Sequence, residues 1–226
     1  MHGGGWSIGD KANNAADRAQ FYNAQGWMVV AVNYRLTTAG ADPPVQFPDY
    51  NNDVAAAVAW VFANAADYGG DPSNVFLVGH SAGAGIVASI AADPQLLAEY
   101  DLTPTQLDCV VLLDTAAYDV AKAVQGTNPA LYLNAFGDDP AVWAAASPIT
   151  HVGEGPLPGR MLIVTRGGPA RINDAQIFAD QLNDAEVDVQ LVDASPLSHS
   201  DVNILIGSND DIMTPLLIRE LARCAG

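Results

Sequence analysis

Ser81 stands in Gly79-His80-Ser81-Ala82-Gly83, directly after the apolar run Val75-Phe76-Leu77-Val78 and before a run of small residues. A serine on so sharp a strand-to-helix turn exposes its hydroxyl, and flanking glycines let the tight backbone pack against its neighbours. Such a hydroxyl becomes a nucleophile when a base takes its proton. Of the four histidines, His2 belongs to a glycine loop, His80 to the serine turn, and His151 follows a Ser-Pro-Ile-Thr turn that reads as structural. His199, in Ser198-His199-Ser200-Asp201, lies after the last strand candidate, and serine followed by histidine is the chain order this chemistry uses. A third element is His2-Gly3-Gly4-Gly5-Trp6. Successive glycines let backbone N–H groups point at a developing oxyanion without obstruction. The N–H groups of Gly3 and Gly4, with that of Ala82, would form that hole. The chemistry implied is acyl transfer to water through a covalent intermediate.

These residues need elements to position them. Five short apolar runs read as strands: Met28–Asn33, Asn74–Gly79, Cys109–Asp114, Met161–Thr165 and Val187–Val192. They are nearly continuous rather than alternating, as parallel strands covered on both faces are. Helical patterns fall at Lys11–Gln25, Asp49–Ala66, Ser81–Ala92, Asn173–Asn183 and Thr214–Arg223, with an irregular excursion over Tyr118–Gly159. The alternation predicts an α/β fold with a mostly parallel sheet and helices on both faces, formed by one domain over residues 1–226. Ligands in such folds sit at the carboxyl ends of the strands.

Composition narrows the partners. The 226 residues suffice for a full core, and half of them are apolar. Twenty-six acids against 9 bases give a formal charge of −17, which argues against nucleic acid or an anionic membrane surface. No apolar run approaches the ~20 residues of a spanning helix. The start resembles neither a signal nor a transit peptide, so the cytoplasm is the expected compartment. Metal-ligand spacing and a phosphate-binding lysine loop are both missing, so no cofactor is expected.

The motifs together resemble the α/β-hydrolase fold, in particular the His-Gly-Gly-Gly type of carboxylesterases and lipases related to hormone-sensitive lipase and the feruloyl-esterase-like group. Gly5–Lys11, Val32–Leu36 and Tyr68–Asn74 are also similar to that family, and the resemblance runs over nearly the whole chain. It implies a serine hydrolase of short-chain or aryl carboxylic esters, with water as the second substrate. Kynurenine-formamidase-like proteins share the glycine loop and serine turn, so amide hydrolysis is the alternative, as is a catalytically impaired binding protein of the same fold.

Departures from the family pattern leave the acid of the triad open. The family places it after the seventh strand, and the corresponding distance before His199 falls on Pro169, within Thr165–Arg171, where there is no acid. Asp174 is the first acid downstream and the first choice. Asp114, at the carboxyl end of Val110–Leu113, is the second. Trp6, Tyr34, His80 and Trp143, with Phe136, are candidates to line an acyl or alcohol pocket. Cys109 and Cys224, at a strand start and the last helix end, are placed to approach each other. The family fold also has a strand before the glycine loop. The expectation is therefore an N-terminally minimal hydrolase of about five core strands. Its exposed edge would be closed by pairing Met28–Asn33 with Val75–Val78, or by a homodimer.

Overall fold

The structure, a computed structural model, describes residues 1–38, 40–208 and 211–224. Four strands form one parallel sheet in the order β1 (Phe76–His80), β2 (Cys109–Leu113), β3 (Arg160–Thr165), β4 (Asp188–Asp193). Two helices precede it, α1 (Ala15–Ala24) and α2 (Asp49–Asn64). Helix α3 (Ala82–Ala92) and the single turn α4 (Gln95–Ala98) lie between β1 and β2. The expected excursion between β2 and β3 carries four short helices, α5 (Val120–Val124), α6 (Pro129–Phe136), α7 (Pro140–Ala146) and α8 (Pro148–His151). Helix α9 (Pro169–Asp184) joins β3 to β4, and α10 (Asp201–Ile204) and α11 (Met213–Cys224) follow.

Continuous apolar strands are explained by burial on two faces. Along β2, Val110 and Leu112 pack with α2, α3 and α9, while Val111 and Leu113 pack with α1 and α11. Strand β3 repeats this, with Met161 and Ile163 on the first face and Leu162 and Val164 on the second. A period of two splits each run between two cores, so every position is apolar. Helix α3 is buried along its whole length, which its Ala and Gly content permits. Where β1 turns into α3, a side chain at Gly79 would strike the carbonyl of Gly83, so the turn is as tight as the motif requires.

All four strands point the same way, so their carboxyl ends share one edge of the sheet. Ser81 follows β1, Asp114 follows β2, Arg171 lies in the first turn of α9 after β3, and His199 follows β4. At the opposite edge, the buried Arg160 pairs with Glu220 of α11 at 2.6 Å, and a Cys109–Cys224 disulfide ties α11 to β2.

The expected fifth strand is corrected. Residues 28–33 join no sheet, although five of the six are Met, Val or Ala and line the cavity beside β1. Their direct pairing with β1 is not formed. Instead a cavity of about 1200 Å³ separates Val30 and Val32 from Phe76 and Val78. Strand propensity forms no ladder across a gap that backbone hydrogen bonds do not span. Among the described residues, backbone bonds reach the free edge of β1 at its end, where the Met1 nitrogen donates to the Val78 carbonyl and the Met1 carbonyl accepts from His80 N–H. The predicted helix over Lys11–Gln25 is shorter, beginning at Ala15 after turns at Lys11–Asn14. Among the described residues, no helix is long and apolar enough to cross a membrane.

Candidate active site

Ser81 occupies the left-handed region, with φ +55° and ψ −120°. A non-glycine residue seldom adopts this, and the surroundings hold it there. Its N–H donates to the Leu113 carbonyl at 2.9 Å, and its carbonyl accepts the first bonds of α3 from Ala84 and Gly85. The hydroxyl has no hydrogen-bond partner among the described residues. It faces the large cavity, which His80, His199, Gly3 and Gly4 also line.

His199 is tied to the sheet through Asp114. Its Nδ1 lies 2.6 Å from Asp114 Oδ2, and its side chain is 44% exposed. Asp114 is fully buried, and its other oxygen accepts from Arg171 Nε at 3.0 Å and Nη2 at 2.7 Å. Burial pushes the Asp114 carboxyl up, but the His199 and Arg171 hydrogen bonds and the Arg171 charge outweigh that and hold it below the usual carboxylate range. The carboxylate is therefore ionised at neutral pH and available to an imidazolium. Asp174, the first-choice acid, is elsewhere: it pairs with Lys122 on the surface. The structure brings Asp114, and not Asp174, to His199. The reason is topological, because β2 and β4 both end at the same edge as the serine turn, whereas Asp174 faces outward from α9.

The glycine loop packs directly on this turn. A Cβ at Gly3 would stand 2.9 Å from both His80 Nδ1 and Ser81 Cβ, and one at Gly83 would stand 2.5 Å from the His2 carbonyl. The N–H groups of Gly3, Gly4 and Ala82 donate to no protein acceptor among the described residues. Ala82 is the first residue of α3, where an N–H has no partner within the helix. The three candidates for an oxyanion hole are thus adjacent to Ser81 and free to donate.

The aromatic candidates fall differently. Trp6 is 3% exposed and packs with Tyr50, Tyr132 and Phe136, so it is core. Phe136 is core too, and Trp143 is half-buried, donating through Nε1 to the Gly137 carbonyl. Tyr34 stacks on the His2 ring with centroids 4.4 Å apart, and its hydroxyl donates to the His2 carbonyl at 2.9 Å. It buttresses the glycine loop from behind and does not face the cavity. Only His80 of the four lines the cavity. Its Nε2 meets the His199 carbonyl at 2.8 Å, and burial is the main cause pulling its pKa down to about 4. Arg171 went unpredicted, since nothing local marks an arginine as the partner of a residue 57 positions away. No group of His, Cys, Asp and Glu among the described residues could hold a metal.

Residues 1–166 match the family model described as BD-FAE. The chain belongs to the BD-FAE family. The BD-FAE match includes the glycine loop, Ser81 and Asp114, and ends before Arg171 and His199. The chain is 30% identical over 192 residues to the probable carboxylic ester hydrolase LipM of Mycobacterium tuberculosis, covering 80% of this chain and 43% of that protein. Esterase LipQ of the same organism is 31% identical over 160 residues, 66% of this chain and 37% of that protein. This BD-FAE chain therefore spans less than half the length of the curated relatives it matches here. Among solved structures, the apo form of Thermogutta terrifontis esterase 2 superposes with a TM-score of 0.74 at 24% identity, over 98% of this chain and 78% of that one. Carboxyl esterase 2 from Tuber melanosporum gives 0.75 at 22% identity, over 99% and 76%. These likenesses establish the α/β-hydrolase fold for the BD-FAE chain.

Proposed function

We propose that this chain is a serine carboxylesterase acting on short-chain or aryl carboxylic esters. The observation that carries the reading is the convergence of Ser81 and His199 on one cavity, with His199 Nδ1 held at 2.6 Å by a buried carboxylate. In this reading Ser81 Oγ attacks the ester carbonyl while His199 Nε2 takes its proton. Asp114 fixes the imidazole tautomer and stabilises the imidazolium. The N–H groups of Gly3, Gly4 and Ala82 receive the oxyanion, each donor being worth ~3 kcal/mol in the transition state. His199 then protonates the leaving alcohol, an acyl-Ser81 ester remains, and water activated by His199 hydrolyses it. The names of the relatives, carboxylic ester hydrolase and esterase, favour esters over amides.

The experiment is hydrolysis of p-nitrophenyl esters of increasing acyl length, beside an N-formyl arylamine, with labelling of the protein by a fluorophosphonate. The reading requires ester turnover, one label per chain on Ser81, and loss of both in Ser81→Ala. Faster turnover of the formyl arylamine would move the assignment to the amidase alternative. Folded protein that takes no label and cleaves no ester would make the chain a binding protein.

Two further readings attach to this one. Pairing of residues 28–33 with β1 is not formed, which leaves a homodimer as the proposed cover for that edge; light scattering of the purified chain reads it directly. The Cys109–Cys224 disulfide favours an oxidising compartment over the expected cytoplasm, since reducing pools keep cytoplasmic thiols free.

A further inference from the structure

The two oxygens of Asp114 have different partners. Oδ2 faces His199 Nδ1 at 2.6 Å, while both Arg171 donors, Nε at 3.0 Å and Nη2 at 2.7 Å, converge on Oδ1. A buried carboxylate requires compensation for the water it has lost, and Arg171 supplies the only full-time cation in contact with it among the described residues. Arg171 stands in the first turn of α9, where the helix dipole disfavours a cation. Its own helix therefore gives no reason for it, whereas Asp114 does. The other titratable groups facing this pair are His80 from β1, Tyr118 and Tyr132 from the excursion, and Arg18 from α1 behind His80. None of them hydrogen-bonds Asp114. At Gly167, φ is +111° and a Cβ would lie 3.3 Å from Arg171 Cδ, so a side chain there would press on the arginine stem.

We propose that Arg171 is a positioning residue of the hydrolytic site, clamping Asp114 Oδ1 so that Oδ2 is presented to His199. This rests on the reading of Ser81, His199 and Asp114 as the catalytic triad. The planar guanidinium fixes the carboxylate through two donors, which a lysine ammonium cannot reproduce as a point charge. The segment after β3 thus contributes a cation that holds the acid, in the stretch where the acid itself is expected.

The test compares the full chain with Arg171→Gln and Arg171→Lys on a p-nitrophenyl ester across pH. Arg171→Gln leaves the Asp114 charge uncompensated beside the imidazole, so protonated His199 is favoured and the acid limb of kcat/KM moves up by about one pH unit. Its kcat falls roughly 10-fold to 100-fold, a part of the ~10⁴-fold that losing the acid costs, with KM nearly unchanged. Arg171→Lys keeps the acid limb near the parent's while kcat still falls. A second reading needs no turnover: the low-field NMR resonance of the His199 Nδ1 proton should weaken or shift in Arg171→Gln. An unchanged acid limb and unchanged Nδ1 resonance in folded Arg171→Gln would overturn the proposal, leaving Arg171 a structural ion pair. Ser81→Ala and Asp114→Asn run in parallel separate the two failures. If both are inactive while Arg171→Gln matches the parent, only the role of Arg171 is lost. If they remain active, the triad reading is lost with it.

Discussion

His80 Nε2 lies 2.8 Å from the His199 carbonyl oxygen, so the residue preceding the candidate nucleophile holds the backbone of the candidate base. The carbonyl can only accept, so Nε2 carries the proton and Nδ1 is bare in the neutral ring. Burial, the largest cause, keeps that ring neutral by lowering its pKa from 6.5 to about 4. In the unfolded chain the ring takes up a proton near 6.5, so between pH 6.5 and 4 the unfolded state binds more protons than the folded one. His80 therefore contributes stability that is lost as pH falls through this window. The linkage is worth about 3 kcal/mol over the whole window. Urea unfolding at pH 7 and pH 5 should show this loss in the parent and a smaller one in His80→Gln. Equal losses in the two proteins would contradict the assignment.

Asp114→Asn should lower kcat/KM by roughly 10³ to 10⁴-fold, because the amide favours the wrong imidazole tautomer. Asp174→Asn should change it less than about twofold, since an exposed pair such as Lys122–Asp174 is worth ~0–1 kcal/mol. Steady-state hydrolysis by the two variants side by side checks both statements. The reverse order of effects would return the acid to α9.

Gly3→Ala should inactivate without unfolding. The added Cβ would stand 2.9 Å from Ser81 Cβ and His80 Nδ1, so the loop must retreat from the serine turn. Displacing one oxyanion donor costs ~10²-fold or more in kcat. Thermal melting should be nearly that of the parent, and fluorophosphonate labelling should slow in proportion to kcat.

Reduction should loosen the far end of the sheet. The Cys109–Cys224 bond closes a loop of 115 residues, and such a crosslink contributes ~2–4 kcal/mol. Melting with and without reductant, and Cys224→Ser, should each lower Tm by several degrees. Initial rates at 25 °C should hold, because the bond lies at the opposite edge from Ser81. A reductant-insensitive Tm would show that the bond adds nothing.

What could be read in the sequence was what is local. The serine turn, the glycine loop and the late histidine each announce themselves within five residues, and strand–helix alternation places them at one edge. The carboxylate partner of His199 was not legible in this way. Asp114 and Asp174 both follow strands or open helices, and only the shared carboxyl edge of β2 and β4 brings Asp114 to a histidine 85 positions away. Arg171 was hidden for the same reason. Residues 28–33 failed oppositely: their composition is that of a buried strand, but they lie across the cavity from β1, out of reach of its free backbone groups. Trp6 and Tyr34 have the types that line pockets, yet their burial sends one to the core and the other behind the loop.

The cavity beside β1 makes the site's stability differ from the protein's. Among the described residues, the glycine loop is held by the Met1 bonds to Val78 and His80, by the Tyr34 hydroxyl on the His2 carbonyl and by the Thr37 N–H on the Trp6 carbonyl, and one side of it faces the cavity. A segment held by a few bonds outside the sheet opens more readily than the buried strands do. The candidate oxyanion donors Gly3 and Gly4 belong to such a segment, whereas Ala82 opens the buried helix α3, and Ser81 and Asp114 directly follow β1 and β2. On warming, the machinery should come apart in two stages. Rate enhancement would fade first as the loop lifts, while the serine and its histidine persist, and cooperative unfolding would follow only at higher temperature.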